Sequence, residues 1–460
     1  MVLCGYWKNM DNNHWLITRS RHIPAVYPLL AFFDWKCAEY FDIADSGHVI
    51  NVWSKGDYFA IWEKQKIDTE FPIHALEKLL GAGDVDILRA QSDVSGKRLV
   101  EFCKKYALGE SGMTVDGHIT FLNELSINYA ALMRDNMCYW LFAPTEIERR
   151  LRTSLKRFTE EESTEIIGIL SHPEDESYSR RVDSELSEII KASRKNGLSD
   201  QDVVEKVTDF STKYSWFPYE YVGPDIWNQE TVMAKLKVEL AKPQDTVQAP
   251  IEPYSHQEIT ARYNLNQEEL HLFSIWQMMS TLQDDRKMYN AQVSYYINEV
   301  VAKKAIQSFS ITFEQARYLD KDALEILRSD RAHFENIMAE RLQLFIVDQI
   351  NADYISHSAG EAEKYLESLG IKLEIKDSDM TEIKGQTAYK GKVTGRVRIL
   401  KTSQVSDFVD GDIIVTGMTT PDFVSLIKTA SAIITNEGGI TCHAAIISRE
   451  MHIPCIVGTK

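Results

Sequence analysis

No stretch of the 460 residues is long and apolar enough to read as a membrane span, and the most apolar early run is broken by Asp34 and Lys36. The start, MVLCGYWKNMDNNHW, lacks a basic segment leading into an apolar core, so it does not read as an export signal. Positive charge is short as well. There are 51 Lys and Arg against 68 Asp and Glu, a net charge of -17, which argues against a nucleic-acid partner. The six cysteines (Cys4, Cys37, Cys103, Cys138, Cys442, Cys455) show no CxxC pair and no metal-ligand spacing. They read as free thiols in a reducing compartment, and we expect a cytoplasmic protein with no membrane contact and no metal ligands of its own. Internal repeats, low-complexity tracts and a phosphate loop of the form GxxxxGK[ST] are all missing.

What is present suits an ordinary globular chain, 44% hydrophobic and 26% charged, with length for two to four domains. Residues 1–25, with the basic cluster Thr18-Arg19-Ser20-Arg21-His22, read as a solvated loop, and Ala25 to Ala44 as a helix. His48–Trp53 and Tyr58–Trp62 predict a hairpin across Ser54-Lys55-Gly56-Asp57. Beyond it helical spacing dominates, over 85–107, 118–142 and 145–157, and Thr159 followed by Glu162 has the form of a capping box. An aromatic turn from Tyr214 to Pro224, containing Trp216, fits either a ligand wall or ordinary core. Pro243 to Pro253 reads as a connector. Leu272, Ile275, Met279, Leu282, Arg286, Tyr289, Val293, Tyr296 and Val300 then trace one face of a long helix, which only Arg286 interrupts. Arg286 fits a buried ion pair, or, with Lys287, a grip on a carboxylate or phosphate of a substrate. Helical patterning continues through 312–350 and 360–369, and Ile371 to Glu382 reads as a hinge-bearing link.

The segment with the clearest chemistry is Gly438-Gly439-Ile440-Thr441-Cys442-His443-Ala444-Ala445-Ile446-Ile447. Two glycines, a Thr and a His precede a short predicted helix, whose first N–H groups and dipole favour an anion. His443 could accept and return a phosphoryl group there, with Gly438 and Gly439 giving room and Ala444 onward giving donors. A histidine so placed also serves as a cap or core residue, and spacing alone leaves both open.

The run ITNEGGITCHAAIISREMHIPCIVGT from Ile433 to Thr459, with GQTAYKGKVTGRVRIL from Gly385 and GDIIVTGMTTP from Gly411, resembles the phosphohistidine (swivelling) domain of phosphoenolpyruvate synthase, pyruvate phosphate dikinase and rifampicin phosphotransferase. The resemblance implies that His443 accepts the phosphoryl group, and that Thr441 corresponds to a threonine whose phosphorylation regulates the plant dikinase. It implies ATP and Mg²⁺ on a separate ATP-grasp subunit, since no stretch resembles that domain or the phosphoenolpyruvate-binding barrel. A small-molecule acceptor, pyruvate-like or other, is expected on the helical body, with Arg286, Lys287 and Trp216 as candidate contacts. The domain reads as C-terminally short. From Gly385 on, 8 basic residues stand against 6 acidic ones, so this part is about +2 and the remainder about -19.

The expected fold class is α+β multidomain: a mostly helical body with a small N-terminal β element, then a swivelling β/β/α phosphohistidine domain. The expected divisions are 1–250 (mainly helical, with a hairpin), 251–370 (the long-helix part), 371–384 (linker) and 385–460 (phosphohistidine domain). A regulatory or scaffolding relic of the fold, and a phosphoenolpyruvate-dependent phosphocarrier, are the rival readings.

Overall fold

The computed structural model describes residues 15–21, 48–54, 57–63, 65, 70–81, 85–109, 113–171, 173, 178–219, 226–241, 256–350, 353–371, 384–400, 408–417, 419, 423–436 and 442–459. The helix expected over Ala25 to Ala44, the Pro243 to Pro253 connector and most of the 371–384 linker lie outside them. Mostly helical with two small sheets, the chain is α+β and multidomain.

The first sheet is antiparallel throughout, in the order β1 (Trp15–Arg21), β3 (Asp57–Glu63), β2 (His48–Ser54), β4 (Leu344–Ile350), β5 (Asp353–Ser358). The predicted hairpin is β2–β3. Two segments differ from their sequence reading. The basic stretch Thr18 to Arg21, expected as loop, is part of β1, where Arg19 lies opposite Phe59. Residues 344–350, expected to continue a helix, form β4.

The reason lies in burial. Leu344-Phe345-Ile346-Val347 is a continuous apolar run whose two faces are both covered, and such a run carries no alternation to mark it as a strand. Ile346 joins Ile50, Val52 and Ile61 beneath the helix Ala359–Ser368, packing on Ala362 and Leu366. Phe345, Val347 and Trp53 point the other way, into the main helical core, with Trp53 and Phe345 ring centroids 5.8 Å apart. The β2–β4 pairing and this core thus join residues on both sides of position 250.

The core is threaded by the helix Gln267–Tyr295, extended by a π turn Tyr296–Val301 and the helix Ala302–Phe309. Its start is a capping box: the Asn266 side chain accepts the Glu269 N–H, and Glu269 accepts the Asn266 N–H, each at 2.9 Å. Leu272, Ile275, Met279, Leu282, Arg286, Tyr289 and Val293 are all buried, as the spacing requires. Gly96, in the helix Val85–Leu108, meets this helix so closely that a Cβ there would stand 2.2 Å from the Tyr289 ring. The Thr159–Glu162 capping box is present at the helix Glu160–Leu170. A smaller core unites the helices Tyr178–Asn196, Gln201–Lys213 and Gln229–Ala241 and docks on the long helix through Ala291. Among the described residues no helix is long and apolar enough to cross a membrane.

The C-terminal sheet runs β6 (Gln386–Tyr389), β10 (Cys455–Val457), β9 (Ala432–Thr435), β8 (Ile413–Thr416), β7 (Val397–Leu400). β7 to β10 are parallel and β6 is antiparallel to β10. Arg396 grips Asp412 with two bonds, of 2.9 and 2.7 Å, ahead of β8. This guanidinium, with the Val409 N–H and Arg398, holds the Asp412 carboxyl down to about 2.

Candidate active site

The helix His443–Glu450 lies between the parallel strands β9 and β10, so its N-terminus follows the carboxyl end of β9. That edge of a parallel sheet is where ligands are met. Cys442 is the N-cap, extended at φ -72° and ψ 164°, and makes no side-chain cap hydrogen bond. Ser, Thr, Asp or Asn would normally cap here, and a thiol, a weak acceptor, leaves most of the donor capacity of this helix start. Burial raises the Cys442 thiol above its ordinary range, against which act the N–H groups of Ala445 and Ala444 and the charges of Arg449 and Lys287. His443 and Ala444 are thus the first and second residues of the helix. Gly438, Gly439 and Thr441 lie outside the described residues.

The rest of the helix is built to fix that end. Ala444 and Ala445 are buried against Ala388, Ile414 and Ile433, small enough to bring the helix close to the sheet. Its far end closes with the Ile453 N–H donating to the Ser448 carbonyl at 2.8 Å and the His452 N–H to that of Arg449 at 3.3 Å. His452 sits at φ 55°, the left-handed position such a cap requires, ahead of Pro454. It is a capping residue. At the carboxyl ends of β8 and β9, Thr416 and Thr435 are buried, and the Asn436 N–H donates to the Thr416 carbonyl at 3.0 Å.

Arg449 carries the site toward the body. Its Nε donates to the Ala388 carbonyl at 3.2 Å, and a Cβ added to Gly168 of the helix Glu160–Leu170 would meet Arg449 Cδ at 3.3 Å. Lys287 is half-buried, and its charge reaches Cys442, the residue before His443. Arg286 is 2% exposed inside the body. Adjacent residues stand about 100° apart on a helix, so only Lys287 turns to the His443 helix. Asp284 accepts the Tyr178 N–H at 2.7 Å, at the start of the helix Tyr178–Asn196. Burial pushes the half-buried Asp285 up to about 6, with Arg89 and Arg181 opposing and Asp284 and Asp93 reinforcing the shift.

Trp216 stands apart from this group. It is 7% exposed in the smaller helical core, stacked on Tyr178 at 5.6 Å, with its indole N–H donating to the Lys213 carbonyl at 3.1 Å. The structure therefore brings Lys287 to the His443 helix, and leaves Arg286 and Trp216 in core positions. Sequence reasoning missed Arg449, Asp285 and Gly168. A glycine in mid-helix, about 1 kcal/mol worse than alanine, was the available signal for the last. No cluster of three or more His, Cys, Asp or Glu able to hold a metal ion occurs among the described residues.

Comparison with known proteins bears on the C-terminal part of the chain. The model of the family described as PEP-utilising enzyme, mobile domain, matches residues 408–460. A probable phosphoenolpyruvate synthase of Methanothermobacter thermautotrophicus is 56% identical over 78 residues, 17% of this chain and 11% of that protein. The phosphoenolpyruvate synthase of Pyrococcus furiosus is 52% identical over 79 residues, 17% of this chain and 10% of that one. That of Helicobacter pylori is 34% identical over 173 residues, covering 35% of this chain and 21% of its own length, so the likeness extends upstream of Gly385. The chain spans only a tenth to a fifth of these relatives. Over residues 408–460 the chain is thus similar to the mobile domain of the PEP-utilising enzymes.

Proposed function

We propose that the chain is a phosphotransferase component in which His443 is phosphorylated from ATP by a separate ATP-grasp subunit and passes the phosphoryl group to a small-molecule acceptor on the helical body. The observation that carries the reading is the position of His443, first in a helix whose N-cap forms no side-chain bond, within a segment matching the mobile-domain family. ATP and Mg²⁺ belong on the partner subunit. In loading, an imidazole nitrogen attacks the β-phosphorus of ATP, the N–P bond forms as the P–O bond to AMP breaks, and water takes the γ-phosphoryl group as Pi; in transfer, an acceptor hydroxyl oxygen attacks, the N–P bond breaks and the hydroxyl proton passes to the imidazole, which leaves neutral. The Ala444 and Ala445 N–H groups take up charge on the phosphoryl oxygens. Gly438 and Gly439 give the donor room. Lys287 meets the phosphoryl group from the body side, and Arg286 supports the helix that presents it.

Incubated with ATP, Mg²⁺ and a matching ATP-grasp subunit, the protein gains one acid-labile, base-stable phosphate. His443→Ala abolishes the label and His443→Asn preserves the fold, while replacement of His452 leaves labelling intact. Thr441→Glu blocks loading by repelling the incoming phosphate, whereas Thr441→Ser permits it. A phosphate mapped by mass spectrometry to another residue, or an unlabelled wild type beside an active partner, refutes the assignment.

A further inference from the structure

We propose that the body surface formed by the helices Glu160–Leu170, Tyr178–Asn196 and Gln267–Tyr295 is the delivery seat for the mobile domain, keyed by Arg449 lying across Gly168. The role of this seat in transfer rests on the carrier reading of His443; the seat itself rests on contacts.

One close contact and two charges within Coulombic range, on three body helices, define it. At the first, a Cβ on Gly168 would stand 3.3 Å from Cδ, 3.4 Å from Nε and 3.8 Å from Cζ of Arg449, so the guanidinium arm occupies the space a side chain would take. Its Nε is tied to the Ala388 carbonyl of β6, which makes the arm part of its own domain's surface. Desolvation lowers the Arg449 pKa, as expected for a cation covered by the body. Gly168 has Ile166, Ile167 and Leu170 facing the body core around it, so its own bare side is the one turned to the carrier. At the second point, Lys428, just after the helix Val424–Ile427, lies within Coulombic range of Asp183. At the third, Lys287 reaches Cys442.

One close contact with charge attraction at two further points biases the rotation as well as the approach of one body on another. The start of the His443 helix is thereby aimed at the seam between the helices Tyr178–Asn196 and Gln267–Tyr295. That seam holds Lys287, Asp284 and Asp285. A weakly basic domain on an acidic body is also electrostatically suited to this seat.

The test uses the full chain and Gly168→Trp, with small-angle scattering and the two half-reactions as readouts. The substitution lies on a helix surface and leaves both cores untouched. We expect a larger maximum dimension than wild type, unchanged loading of His443 by ATP and the partner subunit, and transfer from phosphohistidine slowed on the order of tenfold or more. Asp183→Lys should weaken docking in scattering, and adding Lys428→Asp should restore it, which a merely structural role for either residue would not predict. If Gly168→Trp and Asp183→Lys both scatter as wild type, the seat is wrong. If they open the molecule but leave transfer at the wild-type rate, its delivery role is wrong. If no protein ever loads while the scattering changes appear, the seat stands and the carrier reading of His443 fails instead.

Discussion

Asp285 is a carboxylate held at a cost. Burial raises it to about 6 from the ordinary 3.8, and Asp284 and Asp93 add to the effect of burial despite Arg89 and Arg181. A carboxyl with a raised pKa favours the folded state below its unfolded value, and that contribution is lost as pH rises through about 6. Asp285→Asn should therefore stabilise the protein at pH 7 by about 1–2 kcal/mol and give almost nothing at pH 4. Thermal melts at the two pH values check this; equal effects at both would show that the carboxylate is not strained. A charge kept at such a cost is what a functional residue looks like. His443 and Ala444 were legible in the sequence because glycines, a histidine and a helix start are local features. Arg286 was legible only as buried. Its neighbour Lys287 became the residue whose charge lies near Cys442 through helix geometry, which depends on the orientation of the whole helix.

At the scale of the element, the long helix shows how one side chain can hold two elements. Glu269 closes the capping box with Asn266, and its carboxylate also accepts from Ser154, the last residue of the helix Cys138–Ser154, and from Arg157 Nη2 at 2.8 Å in the turn that follows it. These partners hold its pKa below the ordinary range although burial alone would raise it. Asn266→Ala removes one cap bond and should cost about 1 kcal/mol. Glu269→Ala also strands the Arg157 contacts, and should cost more, about 2–3 kcal/mol. Urea titrations should show that order; equal losses would mean that the Arg157 pairing contributes nothing. Capping boxes are local, which is why the one at Thr159 could be read directly. β4 is the opposite case, a strand that immediately follows a helix and shows no alternation because partners on both faces are apolar.

For the molecule as a whole, the sheet β1-β3-β2-β4-β5 sets the units of folding. Its strands come from residues 15–63 and 344–358, and Trp53 and Phe345 meet in the helical core. The chain segment 256–371 made alone should lack a cooperative melt, because β4 loses β2 and the long helix loses Val85–Leu108 and Val115–Leu132. Supplying 1–250 in trans should restore the transition. A sharp melt for 256–371 alone would show that the two parts are independent domains, as the sequence suggested at position 250.

By itself the sequence determined the helical body, the β2–β3 hairpin, the capping box at Thr159 and the short helix beginning near His443, all of which depend on residues within a few turns of each other. Only the tertiary structure decided that β4 completes the N-terminal sheet, that Trp216 packs inside a helical core, and that Arg449 crosses Gly168. The physical reason is that each of these depends on which surface covers a residue. Covering surfaces come from segments hundreds of residues apart, and neither periodicity nor a local motif encodes them.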